Sequence, residues 1–414
     1  MSTRQKLTLV LLVLSLPLFS VRLSKAQATL SPYIVASVNE GSNYDICSYD
    51  TSGALIARLT NTTWNNWWPK ISPNGSMIAF TSNQSGQYDV YVMNKDGSNV
   101  SRVTTTGTYG GANTMGFVRW MDDSTLFYTH GSTIHKIKVD GTGDVQIIAS
   151  ADGGGIHNFD YDPLIGEIIY QSQGSWGYTN NFYMVDTNGT GSQLVLANRT
   201  GLEHYPEFTP DGKSFVYLFD ISGHEESSGR SLNDHLFVHN IATGSEVDIS
   251  TGKPDGYDDM IGVFSEDGRT VYFTSQINDG SQPPSIIKAS STGADRTTLV
   301  ADAGYQDLWP RFSPTPTAIG QVTPRTPANY SLYQNYPNPF NPTTQINFSV
   351  PKNSFVTLKV YNVLGQEVAT LFSGMQKAGK YVATFDANRF ASGVYFYRLQ
   401  AGSFSSVKKM MLMK

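Results

Sequence analysis

Residues 67–97 read WWPKISPNGSMIAFTSNQSGQYDVYVMNKDG, and the architecture of most of the chain can be worked out from them. A turn at 72–75 precedes a strand-like run at 77–82, and a second run at 88–94 leads into a glycine turn at 96–97. Asn-Gly and Asp-Gly pairs adopt the backbone angles of tight turns, and β-branched and aromatic residues suit half-buried strands. The stretch therefore predicts one antiparallel β unit.

The same unit recurs along the chain, at intervals of 41 to 56 residues. Its turns lie at 72–75, 121–124, 162–166, 209–212, 265–268 and 313–316. The copy at the front, residues 33–53, lacks a first strand, whereas residues 309–314 open a unit that has no further strands. This offset predicts that the last strand pairs with the first blade and closes a ring. We expect an all-β fold with a six-bladed β-propeller over residues 29–322.

Composition supports an all-β chain and excludes one class of partner. Of the 414 residues only 15% are charged, while Gly (38), Tyr (23) and Phe (21) are abundant. Residues 29–326 hold 16 Lys and Arg against 32 Asp and Glu, whereas residues 327–414 hold 9 against 2. A body this acidic repels phosphate backbones, so no nucleic-acid partner is expected.

The N-terminal residues 1–28 have the pattern of a secretory signal peptide. Arg4 and Lys6 precede the apolar run 7–19, and Ala26-Gln27-Ala28 provides small residues for cleavage after Ala28. The apolar run is shorter than the roughly 20 residues that span a bilayer, and no later segment is long enough. We therefore expect a mature protein without a transmembrane segment.

The repeat resembles that of the TolB-type propeller. The resemblance rests on W-x-P-x-I-S-P-N-G from residue 67, I-A-F-T-S from residue 78 and Y-D-V-Y-V-M-N-x-D-G from residue 88. Such propellers serve as protein-binding platforms, as envelope sensors and occasionally as polysaccharide lyases. Unlike TolB, the sequence shows no α/β domain before the propeller and a different domain after it, so the resemblance does not imply a role in the Tol system.

After a linker at 323–330, residues 331–414 alternate strands with glycine turns, which predicts a small immunoglobulin-like β-sandwich. This segment resembles the type A C-terminal sorting domain of the type IX secretion system. The matching residues are the box Tyr336, Pro337, Asn338, Pro339, Phe340, Asn341 and Pro342, then Gly365, Gln366, Gly393, Tyr395 and the terminal Lys414. The resemblance implies export through the periplasm of a Bacteroidetes-type bacterium, contact with the type IX machinery, and a secreted or outer-surface location. Whether the domain is then cleaved off stays open.

Polar residues near the start of each predicted inner strand are the candidate ligand-binding residues of the channel mouth. They are Asn66, Asn113, His157, Glu203, His204, Asp258, Asp259, Gln306 and Asp307. Carboxylate and amide oxygens suit calcium, and histidines suit manganese or zinc, so the ring could hold a divalent cation. The resemblance to propeller-type oligogalacturonate lyases suggests His157 and His204 as its ligands. The competing interpretation is that these side chains only line a water-filled channel.

Two functions follow. The favoured one is a secreted or cell-surface binding module for a protein or a glycan. The alternative is a metal-dependent polysaccharide lyase or hydrolase acting at the channel mouth. The sequence contains no nucleophile elbow, zinc-binding helix or phosphate loop, which favours binding over catalysis.

Overall fold

The computed structural model describes residues 31–39, 41–105, 116–173, 180–197, 203–222, 233–277, 281–311, 320–323 and 327–414. The predicted signal peptide with Ala28, the candidate Asn113 and the linker residues 324–326 lie outside the described residues. Within the described ranges, 32 strands form eight four-stranded antiparallel sheets. The all-β prediction is confirmed.

Six of the sheets are the predicted blades. Five are built from consecutive hairpins because short turns connect alternating strands, and blade I takes its inner strand from the far end of the propeller. From the inner to the outer strand, blade I contains β24 (Ala303–Trp309), β1 (Tyr33–Asn39), β2 (Tyr44–Asp50) and β3 (Leu55–Arg58), and blade II contains β4 (Asn66–Ile71), β5 (Met77–Ser82), β6 (Asp89–Asn94) and β7 (Ser101–Arg102). Blade III contains β8 (Val118–Asp122), β9 (Thr125–His130), β10 (Thr133–Lys138) and β11 (Val145–Ala149), and blade IV contains β12 (Gly155–Asp162), β13 (Glu167–Gln173), β14 (Asn180–Asp186) and β15 (Gln193–Leu196). Blade V contains β16 (Glu203–Phe208), β17 (Ser214–Asp220), β18 (Asp234–Asn240) and β19 (Glu246–Asp248), and blade VI contains β20 (Tyr257–Phe264), β21 (Thr270–Ile277), β22 (Ser285–Ser290) and β23 (Thr297–Val300).

The ring closes as the repeat offset predicts. β24, from the far end of the propeller sequence, pairs with β1, with Ile34 opposite Leu308 and Val35 opposite Asp307. Hydrophobic side chains fill the spaces between neighbouring blades, as where Val35 of blade I and Ile78 of blade II share one buried cluster. Closure therefore completes blade I with an inner strand from the far end of the repeat region.

Within residues 320–323 and 327–414, eight strands form the predicted sandwich of two sheets. One sheet has the order β25 (Gly320–Thr323), β30 (Gly379–Asp386), β27 (Thr343–Val350) and β26 (Ser331–Leu332), and the other has the order β29 (Glu367–Gln376), β28 (Ser354–Tyr361), β31 (Gly393–Ala401) and β32 (Phe404–Leu412). Their inner faces share one apolar core. Gly320 lies opposite Val382 of β30, so pairing places β25 in this domain although the sequence analysis ended the propeller at residue 322.

No helix in the described part of the chain is long and apolar enough to cross a membrane.

Candidate functional site

The inner strands β4, β8, β12, β16, β20 and β24 surround the channel and run in the same direction, because every blade is traversed from inside to outside. We call the end at which they begin the upper mouth and the other end the lower mouth. His157 and His204 lie early in β12 and β16, so both belong to the upper mouth. The side chain of Glu203, like the candidate Asn113, lies outside what the structure describes.

The two histidines of adjacent blades influence each other. Burial, assisted by the charge of His157, lowers the pKa of His204 from 6.5 to about 4. His204 Nδ1 lies 3.0 Å from Nε2 and 3.2 Å from Oε1 of Gln171, a residue of β13. Within the described ranges, no group of three or more His, Cys, Asp and Glu side chains could hold a metal ion. His204 is therefore neutral at pH 7 and has an amide neighbour.

Asn66 and Gln306, both predicted as ligands, hold strands together. The Asn66 amide donates to Thr62 Oγ1 at 2.9 Å and to Asp45 Oδ1 at 3.2 Å. Gln306 accepts a hydrogen bond from Thr274 at 2.9 Å, and its amide donates to backbone carbonyls at 2.8 and 3.0 Å. Both side chains are nearly inaccessible to solvent. Their hydrogen-bonding capacity is thus used between strands of the propeller.

The predicted carboxylates of blade VI also have internal partners. Asp259 forms a bidentate pair with Arg296, with both N–O distances 2.8 Å, and the guanidinium lies 4.7 Å from the centre of the Phe273 ring. Asp258 Oδ1 accepts a hydrogen bond from the backbone N–H of Asp234 at 3.0 Å, and burial raises its pKa. Neither carboxylate extends into the channel as a free ligand.

A buried layer of alternating charges crosses the channel toward the lower mouth. Of its residues, only Asp307 was among the predicted ligand-binding residues. Glu207 Oε1 lies 2.9 Å from Lys70 Nζ and 2.6 Å from Arg119 Nη2, while its Oε2 lies 2.8 Å from Arg311. The second acceptor is Asp160, which pairs with Arg119 at 2.8 Å and with Arg311. Three cations and three carboxylates, all nearly inaccessible, make this layer formally neutral.

The pKa shifts follow from that geometry. Burial would raise the pKa of Asp160, but the adjacent Arg311 and Arg119 charges outweigh it and hold the pKa well below its usual range. Asp307 lies 3.7 Å from Lys70 Nζ, and burial raises its pKa. A pattern in the sequence marks four of these charged residues, because each directly precedes the last apolar residue of its repeat motif. They are Lys70 (PKI), Arg119 (VRW), Asp160 (FDY) and Glu207 (PEF).

Aromatic side chains fill the channel above the charged layer. The ring of Trp68 lies 4.9 Å from that of Phe117, 5.5 Å from that of Tyr205 and 4.8 Å from that of Tyr305. Trp68, Tyr205 and Tyr305 have φ angles of 55°, 56° and 54° at bulges of the inner strands. At this level the channel is a packed core, which differs from the expectation of a water-filled pore lined by polar groups.

The sorting motif is part of the sandwich. Phe340 is buried, its backbone N–H donates to the carbonyl of Met411 at 3.0 Å, and its carbonyl accepts from Met413 at 3.0 Å. Tyr395 is buried and donates to the carbonyl of Ala391 at 2.8 Å. Lys414 is exposed, and its Nζ donates to the carbonyl of Asn388 at 2.6 Å. The box thus runs beside the end of β32.

Comparisons with known proteins find relatives of both the propeller and the C-terminal domain. Residues 334–413 match the family described as the secretion system C-terminal sorting domain. The Tol-Pal system protein TolB of Francisella tularensis (strain WY96-3418) is 24% identical over 246 residues, 57% of this chain and 44% of that protein. An uncharacterized protein of Agrobacterium fabrum is 37% identical over 67 residues, 16% of this chain and 22% of its own. The chain therefore spans less than half the length of the TolB relatives that it matches.

Solved structures share the fold. TolB from Acinetobacter baumannii superposes with a TM-score of 0.52 at 16% identity, and the match covers 67% of this chain and 66% of the TolB chain. A chain of a nidogen/laminin complex gives a TM-score of 0.52 at 9% identity, covering 68% of this chain and 100% of its own. The sorting domain indicates secretion or an outer-surface location and contact with the secretion machinery. The chain is a TolB-like six-bladed β-propeller followed by a C-terminal sorting domain of the type IX secretion system.

Proposed function

We propose that this protein is a secreted or surface-displayed binding module whose propeller takes a protein or glycan ligand at the upper mouth. One observation carries the proposal. The ring centre of Trp67 lies 3.8 Å from that of Tyr44 and 5.0 Å from that of Tyr305, and all three side chains are only partly buried. Nearby in the chain, the Trp64 side chain is 45% exposed. Such rings offer flat apolar faces to a sugar or to a partner's side chains.

The channel interior supports binding rather than catalysis. Its charged layer is formally neutral, and its carboxylates contact cations of the same layer. Asp160 is a poor general base, because the adjacent Arg311 and Arg119 charges hold its pKa well below its usual range. The polar groups of the interior therefore stabilise the ring, and the rim around Trp67 is left for the ligand.

The test is direct binding of the full-length protein to a panel of extracellular polysaccharides and to intact cells of the producing bacterium. Trp64→Ala and Trp67→Ala should each weaken binding at least about tenfold, since stacked aromatic rings dominate such interfaces. Ile56→Ala, an exposed position on the outer strand of blade I, is the matched control and should bind normally. Undiminished binding by both tryptophan variants would place the ligand elsewhere.

The alternative, a metal-dependent polysaccharide lyase or hydrolase, is favoured by the histidine pair. His204 is neutral at pH 7, the form that coordinates a metal, and His157 and Gln171 are its neighbours. Metal analysis of the purified protein, with thermal melts before and after chelation, tests it. Stoichiometric metal that His157→Ala and His204→Ala abolish, and His130→Ala retains, would support this alternative. No metal and an unchanged melt would eliminate it.

A further inference from the structure

The lower mouth of the propeller contacts the sorting domain through specific side chains. We propose that this mouth is a binding site for the chain's own sorting domain. The mouth recognises one lysine and one tyrosine of that domain, so the box at 336–342 faces the propeller in the folded protein. Two contacts, one made by Lys380 and one by Tyr336, join the sorting domain to this mouth.

The first contact is a buried lysine between two carboxylates. Glu167 and Asp186 are directly opposite each other on β13 and β14. Like charges in this arrangement repel, so the pair favours a cation between them. Lys380 of β30 supplies it, with Nζ 2.6 Å from Glu167 Oε1 and 3.0 Å from Asp186 Oδ1. The lysine is only 3% exposed.

The electrostatics of Lys380 show that the site holds the charged form. Burial lowers the pKa of a lysine, yet the pKa of Lys380 is raised, because the charges of Glu167 and Asp186 outweigh desolvation. Nζ also lies 3.4 Å from the carbonyl oxygen of Ile165. A buried cation with two anionic partners and a carbonyl is a satisfied site, whereas the lysine without these groups would be a buried unpaired charge.

The second contact is the first residue of the box. Tyr336 belongs to a buried cluster with Leu164 and Ile165 of blade IV and Phe208 of blade V. Its hydroxyl lies 3.4 Å from the carbonyl oxygen of Pro73 in blade II. The ring therefore spans the lower mouth, and burial raises its pKa.

Tyr336 also closes a small cavity beneath the charged layer. This cavity measures about 50 Å³, and Lys70, Arg119, Arg311 and Tyr336 contribute to its wall. Beside it, the ring of Tyr333 packs directly on the backbone of Gly166, and the Asn347 amide lies 3.3 Å from the carbonyl of Pro163. The polar contacts of Lys380 and Asn347 and the packing of the Tyr333 ring restrict the orientation of the sorting domain more narrowly than a flexible tether would.

The orientation has a consequence for export. With Tyr336 and Lys380 turned toward the propeller, the sheet of β29, β28, β31 and β32 is turned outward. Its outer face carries Lys359, Arg398 and Lys409, of which Arg398 and Lys409 are exposed. The secretion machinery would first meet this basic face, unless it displaces the domain from the propeller.

Lysine acetylation of the full-length protein, read by mass spectrometry, tests the proposal. Lys377 is exposed and only three residues from Lys380 in the same domain, so it is an internal control. Lys380 should react at least about tenfold more slowly than Lys377, because its reaction requires opening of the interface. Equal rates in the folded wild type would overturn the proposal.

Two sets of variants separate docking from folding. Glu167→Gln combined with Asp186→Asn should bring the two acetylation rates within about twofold, since Lys380 loses both anions. Tyr336→Ala should do the same, whereas Tyr336→Phe should retain protection because the contact of the hydroxyl with the carbonyl of Pro73 is long, at 3.4 Å. Protection that persists in folded Tyr336→Ala and in the double variant would show that the sorting domain buries Lys380 by itself, and would also overturn the proposal.

Discussion

Lys70 Nζ and Glu207 Oε1 lie 2.9 Å apart across the channel, although the two residues are 137 positions apart in the chain. The side chains are 4% and 2% exposed, so their pairing takes place almost without water. Removing one partner of such a pair leaves the other charge buried and unpaired, which is far more destabilising than losing a surface ion pair. The neutrality of the charged layer is thus a condition for the stability of the ring.

Lys70→Met should lower the free energy of unfolding of the propeller by about 3 to 5 kcal/mol, because Glu207 then keeps fewer cationic partners. Adding Glu207→Gln restores the balance of charges and should recover at least about 1 kcal/mol, as expected for interacting neighbours. Urea denaturation measures both. Lys213→Met, at an exposed pair with Asp211, should change stability by less than about 0.5 kcal/mol.

Asp162 should make stability fall as pH rises. Its carboxyl is inaccessible, and burial raises its pKa from 3.8 to about 8. Between those values the folded state holds a proton that the unfolded state has released. The free energy of unfolding therefore decreases with pH, by up to about 1.4 kcal/mol per pH unit, and levels off above pH 8.

Asp162→Asn removes the titration, so its melting temperature should lack this decline between about pH 4 and 8. The comparison is a series of thermal melts at matched ionic strength. Asp255→Asn, at an exposed turn, should keep the wild-type profile. A wild-type decline that survives in Asp162→Asn would assign it to another group.

Two turn glycines at corresponding places in neighbouring blades should differ in their tolerance of a side chain. Gly293 and Gly244 have φ angles of 82° and 67°, so alanine is strained at both, by about 1 kcal/mol. A Cβ at Gly293 would overlap the carbonyl of Ile249 in blade V, whereas a Cβ at Gly244 would meet nothing within 4 Å. Gly293→Ala should therefore be less stable than Gly244→Ala by about 1 to 3 kcal/mol in urea denaturation. Equal losses would mean that neighbouring blades do not pack closely at this turn.

Reversing charge on the outward sheet of the sorting domain should impair export without undocking the domain. Arg398→Glu with Lys409→Glu should reduce the protein recovered outside the cell at least about fivefold, because surface charge governs encounter with a partner. Lys380 should stay protected from acetylation in this variant. Lys95→Glu, at a turn of the propeller, is the control for charge alone and should be exported normally.

The sequence predicted six blades, the closure of the ring and the sorting sandwich, because turn residues and strand alternation are local properties. The Ser-Pro-Asn-Gly turn at 72–75 and the Asp-Gly turn at 96–97 specify their hairpins whatever the rest of the chain does. The offset between the first and last repeats needs no side-chain geometry to be recognised. Export could be predicted for the same reason, since the box at 336–342 is a contiguous motif.

The site could be predicted only in part. Reading the start of each inner strand named His157 and His204 as a candidate pair at the channel mouth, which stays a prediction. It could not show that Asn66, Asp259 and Gln306 find partners within the propeller. A polar residue at a strand start looks the same in sequence whether it is free or hydrogen-bonded. The partner is contributed by another strand, and its distance depends on twist and bulges.

What the sequence determined by itself is therefore the set of elements, their order and the cellular destination, all of which depend on neighbours along the chain. Tertiary structure alone decided which side chains meet: Lys70 with Glu207 across the channel, and Lys380 with Glu167 between the propeller and the sorting domain. The physical reason is that burial strengthens or penalises a charge according to the groups around it, and only the closed ring brings those groups together.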